Sequence, residues 1–181
     1  MSLVLSSSQS STLEPVRKNR FIYQFEEVPG NTGNDASKSL AFACHTSGIP
    51  KFTTEATETS RLHEKFHVAN KPSWETLSAS FYDYLNADKS AGQILYNWQT
   101  IIYNPVTGQM GYKTEYSTTS TLAQLDPHGA IFRMWNIFYI WPTSVTYGDS
   151  LDANADDVMN VEVEFRYDFA VKADDESVAP E

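Results

Sequence analysis

The sequence has a single cysteine, Cys44, and no long apolar run. No disulfide can therefore form within one chain, which suits a reducing compartment. No apolar stretch approaches the roughly 18 residues that a membrane-spanning helix needs. The opening residues, MSLVLSSSQSSTLEP, lack a basic segment and hold an apolar run of only three residues, so we do not expect a secretory signal.

Basic residues are also scarce. The 181 residues include 13 basic and 23 acidic side chains, for a net charge of −10, and the only basic group is Arg17, Lys18 and Arg20. Tight nucleic-acid binding needs a basic surface and is not expected, although passive contact is compatible with this charge. Hydrophobic residues make up 41% and aromatic residues 13%, enough for the core of one globular domain.

Alternating apolar and polar residues predict β-strands over most of the chain. In the first of them, at 20–28, Phe21, Tyr23 and Phe25 share one face. Further predicted strands lie at 39–46, 52–62, 74–85, 112–125, 130–140 and 160–171, with a DPHG turn at 126–129. These elements predict a mainly β fold of two packed antiparallel sheets, a β-sandwich or barrel.

No internal repeat or linker divides the chain. Residues 1–18 are polar and rich in serine, and we interpret them as an N-terminal arm. A single β domain is predicted over 19–171, and an acidic C-terminal tail over 172–181.

One helix, at about 91–103, is predicted on the flank of the sheets. Ser90 and Gln93 match the S-x-x-Q capping pattern, and Asn104 before Pro105 disfavours further helix. Five apolar residues behind the cap fall on one face, which we expect to pack on the core: Ile94, Leu95, Trp98, Ile101 and Ile102.

The stretch HEKFH, at 63–67, matches the H-E-x-x-H pattern of zinc hydrolases. That chemistry needs a helix, so that His63 and His67 lie one above the other with Glu64 as general base. On a strand, residues four apart are about 13 Å apart, too far for one zinc ion. The flanking residues favour a strand without excluding a helix, and no third ligand is evident, so we expect no metal site.

Two other patterns were weighed as sites. DANADD, at 152–157, begins like a calcium loop but has Asp157 where the glycine is needed and Val163 where the bidentate glutamate is needed. Cys44 and His45 are adjacent, and adjacent strand residues point to opposite faces, so a small core thiol is expected. The four tryptophans are expected to pack in the core. We therefore expect no enzyme activity and no cofactor.

The segment at 161–169 alternates most regularly. Its apolar face holds Val161, Val163, Phe165, Tyr167 and Phe169. Its polar face holds Glu162, Glu164, Arg166 and Asp168.

Several stretches, in order, resemble the tail tube proteins of contractile-tailed bacteriophages. The most specific are YNPVTGQMG after the helix, LDPHG, WPTSV and RYDFA. The resemblance covers about 19–171 and is weakest over 31–70. Before WPTSV, members of the family often have small residues, where this chain has Tyr139 and Ile140.

The resemblance implies a structural virion protein whose hexameric rings stack into the inner tube of a contractile tail, the conduit for DNA ejection. It implies as partners the chain itself, the tail sheath protein, the tape-measure protein, and the baseplate and tail-terminator proteins. Double-stranded DNA would pass without specific binding, and no membrane anchor is implied. The protein would be assembled in the host bacterial cytoplasm and reside in the virion tail. The alternatives are the tube of a DNA-free contractile injection system, a tube-like subunit at the baseplate end, and, more distantly, a zinc metallohydrolase or a monomeric binding module.

Two expectations follow for the tube. Glu162, Glu164, Arg166 and Asp168 would suit the lumen, because carboxylates repel phosphates, but this face could equally lie outside. Residues 31–72 are long, polar and weakly patterned, so we expect them, with the arm, to become ordered on neighbouring subunits.

Overall fold

The structure is a computed structural model that describes residues 15–31, 35–86, 90–148, 151–152, 154 and 156–173. Most of the N-terminal arm and of the acidic tail lie outside these ranges. Among the described residues the elements, in chain order, are β1 (Phe21–Phe25), α1 (Asp35–Ala43), β2 (Cys44–Ser47), β3 (Phe52–Arg61), β4 (Glu64–Trp74), β5 (Leu77–Tyr82), α2 (Ala91–Ile102), α3 (Lys113–Tyr116), β6 (Thr118–Leu125), β7 (Ile131–Thr146), β8 (Asn160–Arg166) and β9 (Phe169–Lys172).

Two antiparallel sheets share the long strand β7. Its first part pairs with β6 and β9, and β6 also pairs with β1. From Trp141 onward β7 pairs with β8, and the order continues through β5 to β2. The prediction of a mainly β fold with two packed antiparallel sheets and a flanking helix is confirmed, although the sheets do not close into a barrel.

Tyr139 lies just before the point where β7 passes from one sheet to the other, between Ile140 and Trp141. Tyr139 has φ 56°, the left-handed conformation, and its side chain is half exposed. A non-glycine residue in this region costs roughly 1–2 kcal/mol relative to glycine, so the left-handed conformation of Tyr139 carries a local energetic cost.

Aromatic side chains fill the core between the sheets. Phe25 on β1 lies 5.5 Å, centroid to centroid, from both Trp98 on α2 and Phe165 on β8. Tyr23 and Phe81 are likewise fully buried. These rings come from strands that are distant in sequence, so the core joins both sheets and the helix into one unit.

The strand predicted at 39–46 is wrong over most of its length, because α1 occupies Asp35–Ala43 and only β2 is extended. Ala36, Leu40 and Ala43 are buried at helical spacing. The hydroxyl of Ser37 donates a hydrogen bond to the backbone carbonyl of Phe25. Helix α1 contacts β1 and β2, the two end strands of the sheet order, and therefore covers the gap between them.

The strand predicted at 112–125 is also shorter than expected, because its first residues form α3. The backbone N–H of Tyr112 donates to Glu115 Oε2 over 2.9 Å, a capping bond that favours one helical turn. The prediction of a single helix was therefore wrong, since α1 and α3 were both missed. Helix α2 ends at Ile102, close to its predicted end.

Two further strands predicted as continuous are broken. The segment 74–85 divides between β4 and β5 at Glu75, whose N–H donates to the carbonyl of Lys51. The segment 161–169 divides at Tyr167 and Asp168, because β8 pairs with one part of β7 and β9 with the other. Within the described residues, no helix is both long and apolar enough to cross a membrane.

Candidate functional site

Helix α2 is held by its apolar face. Ile94, Leu95 and Trp98 are buried, while Ile101 and Ile102 at the C-terminal end are half exposed. The Ser90 hydroxyl caps the helix by accepting from the N–H of Gln93 over 3.2 Å. The helix therefore packs on the core mainly through its first two turns.

Trp98 links this helix to the elements around it. Its indole N–H donates to the carbonyl of Tyr116 at the end of α3, over 2.7 Å. Its ring also lies 6.0 Å from Phe165. The helix, the short α3 turn and both sheets are thus joined at one side chain.

The outer face of β8 forms a surface of carboxylates and hydroxyls. Glu162, Glu164 and Arg166 are exposed, and Val161, Val163 and Phe165 point into the core. Residues opposite Glu162 and Glu164 on the two neighbouring strands are small and hydroxylated: Ser78, Ser80, Ser144 and Thr146. A shallow groove of about 230 Å³ follows this surface. We call it the hydroxyl–carboxylate face.

Asp168 does not belong to that face. It lies beyond the end of β8, and its carboxylate accepts from the ammonium of Lys113 on α3 over 2.7 Å. The ammonium also lies 5.6 Å from the ring centre of Tyr139. The alternating pattern had predicted one uninterrupted strand over 161–169, and for that reason Asp168 was grouped with Glu162 and Glu164.

Strands β3 and β4 form a separate two-stranded hairpin that projects from the domain. Every residue of β3 is exposed, and so is every residue of β4 before Trp74. Cross-strand pairs place Thr57, Thr59, Phe66 and Val68 on one face of the hairpin, and Glu58, Ser60, Lys65 and His67 on the other. One face is therefore partly apolar and the other charged. A two-stranded hairpin of this length is marginal in water without packing partners.

The base of the hairpin is well fixed to the domain. Trp74 packs against Tyr167 with ring centres 5.7 Å apart. Lys51 Nζ donates to Glu75 over 3.0 Å, and the hydroxyl of Thr53 donates to the same carboxylate over 2.7 Å. The bond from Lys51, followed by that from Thr53, holds the pKa of Glu75 below its usual value. The hairpin therefore leaves the domain in a defined direction.

The HEKFH stretch lies at the tip of this hairpin. His63 is in the turn, and residues 64–67 begin β4. The strand interpretation is thus confirmed, and the two histidines are not stacked on one helical face. In the described part of the chain, no group of three histidine, cysteine or acidic residues is placed to hold a metal ion.

The remaining candidates are separated from one another. Cys44 is partly buried against the core, and burial raises the pKa of its thiol to about 12, so the thiol is a poor nucleophile at neutral pH. His45 stacks on Tyr82 with ring centres 4.2 Å apart. Residues 153 and 155 of the DANADD loop lie outside the described residues.

The tryptophans do not form a common platform. Trp98 is fully buried, and Trp74 and Trp135 pack partly against the core. Trp141 contacts Tyr116, with ring centres 5.5 Å apart.

The sequence analysis did not predict one surface, an apolar groove of about 400 Å³ on the outer side of the sheet formed by β1, β6, β9 and the first part of β7. Ile22, Ala123 and Met134 lie side by side on β1, β6 and β7, and Leu125 and Ile131 are paired at one end. We call this the β1–β6–β7 groove. Only the register of three strands that are distant in sequence brings these residues together, so local periodicity carried no signal for it.

No model of a known protein family matches the chain, and no curated protein matches its sequence. Similar folds are found among solved structures. A chain of the sheath–tube complex of an extracellular contractile injection system, PVC, has TM-score 0.65 and 17% identity, covering 93% of this chain and 98% of the other. The tube-terminating cap of the anti-feeding prophage has TM-score 0.66 and 16% identity, covering 88% and 91%. A chain of the baseplate of that prophage has TM-score 0.63 and 16% identity, covering 88% and 95%.

The chain therefore has the tail-tube-like fold of contractile injection systems, as the resemblance in its sequence implied. These neighbours are structural components of injection machines and not enzymes. At this level of identity the likeness establishes the fold, and the role of this chain has to be argued from its own surfaces.

Proposed function

We propose that the chain is a structural subunit whose hexameric rings stack into the inner tube of a contractile tail. The observation that carries this proposal is the match over nearly the whole length of both chains with a component of a sheath–tube complex. The sheath protein, baseplate and tail-terminator proteins would be its partners, with a tape-measure protein inside the tube. The tube would serve in DNA ejection from a virion assembled in the host cytoplasm. The alternative is the tube of a DNA-free contractile injection system, and one of the similar structures is part of an extracellular contractile injection system.

The projecting hairpin supports a role in assembly. It is exposed along its whole length, yet it carries Phe66 and Val68 on one face. Complete burial of such a side chain stabilises a structure by roughly 1.5–3 kcal/mol. The monomer does not gain this stabilisation, because both side chains remain exposed. We infer that the hairpin packs on a neighbouring subunit or ring and stabilises the stack.

The proposal is tested by imaging the purified chain at increasing concentration in negative stain. Stacked rings or hollow tubes are expected, and sedimentation should show a concentration-dependent rise in mass. Dispersed monomers at every concentration would contradict a tube role and favour a monomeric binding module.

The hydroxyl–carboxylate face is our candidate for the lumen. Its side chains are short hydroxyls with two carboxylates, and Arg166 is its single base. Carboxylates repel phosphates, and the hydroxyls of serine and threonine do not bind a DNA or protein chain tightly as it passes through the tube. A conduit needs this absence of binding, whether it passes DNA or protein.

Glu162→Lys combined with Glu164→Lys is therefore expected to leave tubes able to form and to make them retain duplex DNA. Retention should be strong at low salt and lost at high salt through counterion release. Glu27→Lys combined with Asp35→Lys is the matched control, because both residues are exposed and off this face. The measurement is DNA co-sedimentation with tubes. Equal DNA retention by the two variants, or loss of sheath binding only in the first, would place this face outside the lumen.

A further inference from the structure

The tip of the hairpin combines two unfavourable features in one residue. Leu62 has φ 57°, and its side chain is 94% exposed. Arg61 pairs with Glu64, so Leu62 and His63 form a two-residue turn, in which asparagine or glycine is favoured at positive φ. Leucine therefore strains the backbone and exposes apolar surface at the same point. Strained residues of this kind cluster at functional sites.

The tip lies far from the domain that carries it. Trp74 lies ten positions after Glu64, which is about 33 Å of extended strand at roughly 3.3 Å per residue. The ring contacts of the hairpin with the domain are at its base, where Trp74 meets Tyr167. A site for Leu62 must therefore be on another molecule.

The β1–β6–β7 groove offers a complementary surface. Its floor holds Ala123 between Ile22 and Met134, and Ile22 is 45% exposed. Its volume of about 400 Å³ is more than one leucine side chain fills, so part of the apolar face of the hairpin could also enter. Glu26 lies at one end of the groove.

Charge favours the same pairing. The hairpin and its base, residues 51–75, carry four basic and four acidic side chains, while the rest of the chain carries nine basic and nineteen acidic ones. Two copies of the domain therefore repel each other, and the hairpin, which has no net charge, does not add to that repulsion. Arg61 and Glu64 flank the tip, and the charge of Arg61 is opposite to that of Glu26 in the groove.

We propose that Leu62 of one copy inserts into the β1–β6–β7 groove of a second copy. Donor and acceptor are different surfaces of the same chain, so the contact is head-to-tail and can repeat without limit along a stack. The inference rests on the proposed tube function and identifies the residues that join one subunit to the next.

The first test separates a turn role for Leu62 from an anchor role. Leu62→Asn suits the left-handed turn better but removes the apolar side chain. It is expected to raise the lowest concentration at which tubes form by at least about tenfold. Leu62→Met keeps an apolar side chain and should assemble like wild type. Wild-type assembly by Leu62→Asn would overturn the proposal.

The second test maps the acceptor. In a Cys44→Ala background, Leu62→Cys protein is mixed with Ile22→Cys protein and oxidised mildly under assembly conditions. Disulfide-linked dimers are expected on a non-reducing gel. Tyr103→Cys is the matched control, because Tyr103 is 51% exposed and lines a different groove on the flank of α2. Preferential linkage to Tyr103→Cys, or equal linkage to both, would overturn the proposed site.

The two proposals fail in distinguishable ways. If wild type forms tubes and Leu62→Cys does not link to Ile22→Cys, the tube function stands and the anchor site is wrong. If wild type never assembles, both are wrong.

Discussion

Replacing Trp98 by alanine is expected to destabilise the folded chain by about 3–5 kcal/mol, the range for truncating a buried tryptophan. Trp98 is fully buried, contacts Phe25 and Phe165, and holds α3 through its hydrogen bond to the carbonyl of Tyr116. Alanine would leave a cavity where the helix meets both sheets. The measurement is urea unfolding followed by circular dichroism.

A matched control lies on the same helix. Tyr96→Ala removes an aromatic ring that is 51% exposed, and its expected effect is below about 1 kcal/mol. Trp98→Phe keeps an aromatic ring but removes the N–H donor, so its decrease in the free energy of unfolding should lie between those of Trp98→Ala and Tyr96→Ala. A Trp98→Ala effect no larger than that of Tyr96→Ala would show that the helix does not anchor the core.

Shortening the hairpin is expected to abolish tube growth while leaving the domain folded. Thr53 and Ser73 are paired, so residues 54–72 can be replaced by an Asn-Gly turn without altering the register at the base. The removed residues are exposed and contribute little to the core. The melting temperature should stay within about 4 °C of wild type, and negative stain should show no tubes.

The control for this variant keeps the hairpin and changes only its charged face. Glu58→Gln with Lys65→Gln removes an exposed ion pair of 2.7 Å, which contributes little to stability. We expect this protein to form tubes. Normal tubes from the shortened chain would show that the hairpin is dispensable for stacking.

Local patterns succeeded where one face of an element is buried and the other is wet. In β1, Tyr23 and Phe25 are buried while Ile22 and Gln24 are exposed, and the same alternation holds from Val161 to Arg166. The cap at Ser90 and the stripe from Ile94 to Trp98 located α2 for the same reason. Periodicity follows from burial, so it is informative wherever burial is one-sided.

Local patterns failed where the partner of a segment decided its conformation. The segment from Ser39 to Ala43 is equally compatible with a strand, and it is helical because Leu40 and Ala43 are buried on the core side of α1, which contacts β1 and β2. The break at Asp168 depends on where β7 bends, since β8 and β9 pair with different parts of that strand. Neither partner is visible in the segment itself.

The sequence alone determined that this is a mainly β chain with a flanking helix, that no disulfide forms within the chain, and that its acidic charge balance is unsuited to tight nucleic-acid binding. Those properties depend on composition and on the pattern of residues that are neighbours in the chain, and both can be taken directly from the sequence. Only the tertiary structure decided which residues share a surface: the hydroxyls beside Glu162 and Glu164, the separation of Asp168 from them, and the alignment of Ile22, Ala123 and Met134. Strand register sets these groupings, because a shift of one residue in pairing moves every side chain to the opposite face.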